Sequence, residues 1–119
     1  MNNRRLRFAR YSLLVLTFAL AACGSTVAIK TGSLDGGCYM SGVTGELAAD
    51  PAAGTAITDG MSGQRVAVTW PVGWTGRQVG SEVEVLNQSG EVKARTGSRV
   101  SLMGGYWTDG SFLTCGPVP

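Results

Sequence analysis

The chain has 119 residues, a formal net charge of +2 and no histidine. Because histidine is the commonest general base and metal ligand, its absence excludes Ser/His/Asp and Cys/His nucleophile systems. A chain of this length is expected to form one small domain.

The first 22 residues have the pattern of a bacterial export signal. Four arginines precede an apolar run over residues 11–20, which is shorter than the roughly 20 residues of a permanent membrane span. The run ends in Leu20-Ala21-Ala22-Cys23, which resembles the lipobox of bacterial lipoproteins. That resemblance implies removal of residues 1–22 as a signal helix and lipid on the Cys23 thiol. An ordinary secretory signal with an incidental cysteine is the alternative.

Removal of this leader reverses the sign of the charge. From Cys23 onward the chain has six basic and eight acidic side chains, a net charge of −2. The basic balance therefore belongs to the leader, and a nucleic-acid partner loses its electrostatic support. We expect the membrane to be a partner through lipid on Cys23, with residues 23–26 as lipidated N-terminus and spacer and residues 27–119 as the domain.

The composition of this domain predicts an all-β fold. All 18 glycines lie after Cys23, a density typical of many turns between short strands. Five or so short strands at this spacing favour a small five-stranded OB-like barrel, with a sandwich as the alternative.

Taken in chain order, the first half of the domain predicts few strands. Residues 27–30 are a candidate first strand, Leu34–Cys38 is a turn, and residues 38–41 are a returning strand. Residues 42–63 lack a clear pattern and are interpreted as a loop or excursion, with one helical turn over Glu46–Asp50. Alternation makes Gln64–Trp70 the clearest strand, with Val66, Val68 and Trp70 on one face.

The second half predicts a hairpin and a closing segment. Residues 75–80 are interpreted as loop, and residues 82–96 as a hairpin in which Glu84 faces Lys93 and Val85 faces Val92. This register places opposite charges on one face and apolar groups on the other. A bulge at Gly90 would shift it by one residue. Residues 99–103 form a further strand, and residues 112–115 return the chain to the domain.

The three cysteines divide into one lipid site and one pair. With Cys23 assigned to lipid, an oxidising compartment favours a disulfide between Cys38 and Cys115. Two separate buried thiols are the alternative.

Among the remaining side chains, loop aromatics are the best binding candidates. Trp70 alternates with core valines, whereas Trp74, Tyr106 and Trp107 lie in predicted loops, where exposed rings stack on sugars or grip a partner. Glu82 and Glu84 share a strand face and suggest a carboxylate-based hydrolase as an alternative, although such pairs are usually solvated surface. The sequence indicates no metal site and no cofactor.

Part of the domain resembles a group of small exported bacterial β proteins. The shared features are a Trp-Pro-x-Gly corner at Trp70–Gly73, a hairpin over Glu82–Thr96 and a bend at Gly104-Gly105-Tyr106. Because these are turn residues, the resemblance implies a backbone arrangement and carries over no catalytic residue.

Together these features predict a lipid-anchored envelope protein with a binding or structural role rather than an enzyme. Its location would be the outer membrane in a two-membrane bacterium and the outer face of the plasma membrane in a one-membrane organism. An adaptor or inhibitor that presents aromatic loops to an envelope protein or glycan is the alternative.

Overall fold

The computed structural model describes residues 24–118, in which every regular element is a β-strand. The strands are β1 (Ser25–Val27), β2 (Thr31–Gly32), β3 (Ser41–Asp50), β4 (Gly54–Asp59), β5 (Arg65–Pro71), β6 (Thr75–Val79), β7 (Glu82–Leu86), β8 (Val92–Arg95), β9 (Arg99–Tyr106) and β10 (Phe112–Pro117). These residues contain no helix with the length and apolar character needed to cross a bilayer. The predicted signal helix, the lipobox and Cys23 lie outside the described residues.

Five of the strands close into a barrel. β4 pairs with β3 and β5, and β9 pairs with β3 and β10, all antiparallel. A parallel pairing of β10 with β5, in which Phe112 faces Val68, completes the ring. This closed arrangement confirms the all-β, five-stranded OB-like barrel rather than the sandwich.

The barrel is filled by residues that alternate along its strands. Val66, Val68 and Trp70 of β5 face inward and are buried, as their alternation predicted. The Trp70 indole Nε1 donates a hydrogen bond of 2.8 Å to Oγ1 of Thr55 on β4, so its polar group is satisfied in the core. The core cluster consists of Val43, Leu47, Ile57, Val66, Val68, Trp70, Val85, Ala94, Leu102 and Phe112.

A second, four-stranded sheet packs on the barrel. Its order is β1-β6-β7-β8, and β6 to β8 are inserted between the third and fourth barrel strands. Val85 and Ala94 of this sheet belong to the barrel's core cluster, and the partly buried Trp74 packs against that cluster. The short strand β2 joins β5 in parallel. Strand β1 and the inserted strands β6, β7 and β8 therefore form one sheet.

The predicted loop over residues 42–63 is wrong, because this segment forms the β3–β4 hairpin. Leu47 pairs with Ile57, and both side chains are fully buried. The helical turn predicted over Glu46–Asp50 is also wrong, since these residues end β3. Alternation is present here, but alanine, glycine and threonine occupy so many positions that it has little apolar contrast.

Other strand boundaries also differ from the prediction. Residues 75–79, which were predicted as loop, form β6, and the first strand lies at Ser25–Val27 rather than at residues 27–30. Strand pairing explains both differences, because β1 and β6 form an antiparallel pair in which Ser25 lies opposite Gln78.

The β7–β8 hairpin keeps its predicted faces but has a different register. Glu84 lies opposite Arg95 and Val85 opposite Ala94, a shift of two residues from the prediction. A three-residue turn that ends at Gly90, where φ is 83°, contributes one residue of this shift. A bulge between Val85 and Leu86 contributes the other. An even shift preserves which residues point inward.

Candidate binding surface

Three exposed aromatic rings lie around the end of β9. Tyr39 is 60% exposed, Tyr106 58% and Trp107 40%. Tyr106 ends β9 and packs edge-on against Phe112, with ring centroids 5.4 Å apart and an interplanar angle of 84°. Because Phe112 is a core residue, this contact attaches the exposed Tyr106 ring to the barrel. We call Tyr39, Tyr106 and Trp107 the aromatic surface.

The other two rings rest directly on backbone. A Cβ added at Gly105 would lie 3.1 Å from Cβ of Tyr39, and one added at Gly32 would lie 2.9 Å from the Trp107 ring. Glycine at both positions therefore permits a close approach that a larger residue would prevent. Each ring is supported on one side and leaves part of its area open to solvent.

A network of polar contacts holds the turn that carries Trp107. Within this β9–β10 turn the Asp109 carboxylate accepts hydrogen bonds from the backbone N–H and the hydroxyl of Ser111, at 2.9 and 2.7 Å. It also forms an ion pair with Lys30. The Lys30 ammonium first, and the Ser111 donors next, hold the pKa of Asp109 well below its usual range. The turn is thus tied to the segment that precedes β2.

The Cys38–Cys115 disulfide is formed, as the sequence predicted. The Cα atoms of the two cysteines lie 5.9 Å apart, and the bridge joins the segment before β3 to β10. Tyr39 follows Cys38 directly, so the bridge restrains the chain that presents this ring. The structure therefore places a covalent link beside the aromatic surface.

The structure separates Trp74 from the other two predicted binding residues. Its ring stacks on Trp70, with centroids 5.6 Å apart and an angle of 17°, and it also approaches Gly116. This partly buried ring packs against the core, whereas Tyr106 and Trp107 are exposed and consecutive in the sequence, at the end of β9. Sequence reasoning missed Tyr39. The sequence contained one indication of this residue: Tyr39 follows Cys38, and the bridge from Cys38 to Cys115 brings Tyr39 to β9 and β10.

The two acidic residues suggested for hydrolysis are bound to arginines. Glu84 is buried and lies between Arg77, whose Nη2 is 2.6 Å from Oε1, and Arg95, whose Nε is 3.2 Å from Oε2. Hydrogen bonds from Arg77 and then Arg95 lower the pKa of Glu84. Glu82 is half exposed and lies 3.5 Å from Nε of Arg95. Both carboxylates thus belong to a charged network on the outer face of the small sheet.

Residues 24–118 contain no group of three or more His, Cys, Asp or Glu side chains placed to hold a metal ion.

Comparison with known proteins gave no matching family model, no similar curated protein and no similar solved structure.

Proposed function

We propose that this protein is a lipid-anchored binding module of the bacterial cell envelope. The lipobox supplies the anchor at Cys23, and the Cys38–Cys115 bridge suits an oxidising compartment outside the cytoplasm. A membrane address alone would fit a purely structural role. The observation that carries a binding role is the aromatic surface.

The aromatic surface suits a partner of low charge. Tyrosine and tryptophan rings contribute large contact areas at low conformational cost and are enriched at interaction hot spots. Here the rings are already held by Phe112, by two glycine backbones and by the disulfide, so binding would order few side chains. We infer that the partner is an envelope protein or an envelope glycan, whose sugar rings stack on aromatic faces.

Intact mass spectrometry of membrane-extracted protein tests the anchor. We expect loss of residues 1–22 and added acyl mass on a peptide that begins at Cys23. The Cys23→Ser variant should carry no lipid. Retention of residues 1–22 in the membrane form would overturn the assignment.

Substitution of the exposed rings tests the binding role. Tyr106→Ala and Trp107→Ala should weaken capture of the partner, because loss of an aromatic anchor at a hot spot costs about 2 kcal/mol, roughly thirtyfold in Kd. Met61→Ala is a matched control, since Met61 is 99% exposed on the β4–β5 turn. Photo-crosslinking from position 106 in cells and co-sedimentation with purified envelope polysaccharide distinguish a protein from a glycan. Unchanged capture by both ring variants would exclude the aromatic surface as the binding site.

A further inference from the structure

The position of Gly24, which follows the proposed lipid site at Cys23, determines which end of the small sheet lies near the anchor. Ser25 opposes Gln78 in the antiparallel β1–β6 pair, so Gly24 lies level with Val79. Gly24 contacts β6 closely, because a Cβ at this position would lie 2.6 Å from the carbonyl oxygen of Gln78. One peptide bond links Gly24 to Cys23, and a residue spans at most about 3.6 Å. Lipid on Cys23 would therefore start within a few ångströms of the β6–β7 turn.

From this geometry we propose that the β6–β7 turn, residues 80–81, together with Val79 at the end of β6, contacts the phospholipid headgroups and orients the domain on the membrane. The inference rests on the proposed lipid anchor. It adds a second, non-covalent contact between the protein and the bilayer, at a named turn.

The chemistry of this turn fits a headgroup surface. Val79 is 41% exposed, and Gly80 and Ser81 carry no charge. The Gln78 amide bridges the turn by donating to the carbonyl oxygen of Gly80 at 2.9 Å. By contrast, the turns after β3, β4 and β9 are held by the carboxylates of Asp50, Asp59 and Asp109. A neutral turn approaches lipid phosphates without the repulsion that a carboxylate would meet.

Charges beside the turn are compensated. Glu82, the first residue of β7, pairs with Arg95, and Arg95 also binds Glu84. The side chain of Arg77, which approaches Gly24, forms an ion pair with the same Glu84. The end of the sheet at Gly24 therefore presents a network of paired charges rather than an excess of acid.

The opposite end of β7 supplies a matched control. Ser81 and Ser89 are both exposed turn serines, at the β6–β7 and β7–β8 turns respectively. The five residues of β7 separate the two turns, a distance of roughly 17 Å at about 3.3 Å per residue. In the lipidated protein Cys23 is a thioether and Cys38 is bridged to Cys115, so a cysteine added at either serine is the free thiol for labelling.

The experiment uses the full lipidated protein in phosphatidylglycerol–phosphatidylethanolamine vesicles that contain a headgroup-nitroxide lipid. A fluorophore on Ser81→Cys should lose its emission, and the same fluorophore on Ser89→Cys should retain it. Equal quenching of both labels, or of neither, would overturn the orientation. Intact mass spectrometry of the same samples separates the two hypotheses: absence of lipid on Cys23 would refute the anchor, whereas equal quenching with lipid present would refute the orientation alone.

Discussion

Glu84 is the residue whose environment departs furthest from the simple prediction of a solvated acidic pair. Two guanidinium groups hold its carboxylate, which is almost fully covered although it points away from the barrel core. The sequence predicted opposite charges on this face but paired Glu84 with Lys93. The actual partner, Arg95, follows from two local backbone irregularities that the charge pattern alone does not specify.

This environment predicts an acid-dependent loss of stability. The pKa of Glu84 is lower in the folded than in the unfolded state. Between these two pKa values the unfolded state therefore binds more protons than the folded state. The stabilisation is therefore present above the unfolded pKa and is lost as the pH falls through the folded pKa. Glu84→Gln should lower the urea midpoint at neutral pH, and its difference from the original protein should shrink below about pH 4.

Urea unfolding from pH 7 to pH 2 measures this difference. Glu82→Gln serves as control, because Glu82 is half exposed and has one contact with Arg95 at 3.5 Å. A Glu84→Gln effect no larger than that of the control would contradict the role given to the two arginines.

The β3–β4 hairpin shows why sequence patterns find some strands and miss others. Gln64–Trp70 was predicted because valines and a tryptophan alternate with polar residues. In β3 the inward positions include Gly45 beside Val43 and Leu47, so the alternation carries little contrast in hydrophobicity. Glycine is nevertheless required there, since a Cβ at Gly45 would lie 1.7 Å from the carbonyl oxygen of Thr58.

A pair of substitutions on β3 tests this close approach. Gly45→Ala forces β3 and β4 apart and should cost about 1–3 kcal/mol of unfolding free energy, as overpacking does. Gly42→Ala on the same strand should have a small effect, because its nearest neighbour would be 3.7 Å away. Thermal unfolding by circular dichroism compares the two variants. Equal melting temperatures would contradict this prediction, because they would show that β3 and β4 separate at Gly45 without loss of stability.

At the scale of the whole molecule, the sequence predicted the strand class, the number of barrel strands and the disulfide. It did not predict the four-stranded sheet, because that sheet joins β1 to β6, β7 and β8 across about 50 residues of chain. The same limit applies to the aromatic surface. Tyr106 and Trp107 were predicted as loop aromatics, although Tyr106 is the last residue of β9, whereas Tyr39 comes to lie over Gly105 of β9 only through long-range contacts.

The disulfide is the link whose removal should affect the entire domain. Reduction, or the Cys38→Ser/Cys115→Ser double variant, should lower the unfolding free energy by about 2–5 kcal/mol, given the long loop that the bridge closes. Urea titration followed by tryptophan fluorescence, with and without reductant, measures the change. The double variant should show no further response to reductant, and an unchanged midpoint in the original protein would contradict the prediction.

The position of this bridge also sets an order of events during biosynthesis. Cys38 precedes β3 and Cys115 lies in β10, so four barrel strands and the first half of the fifth are made between the two thiols. A growing chain consequently exposes Cys38 long before its partner has been synthesised. During that interval the nearest competing thiol in sequence is Cys23, only 15 positions away. In the proposed lipid-anchored form that sulfur would be a thioether, so diacylglyceryl transfer to Cys23 would protect the late, correct bridge from an early, incorrect one.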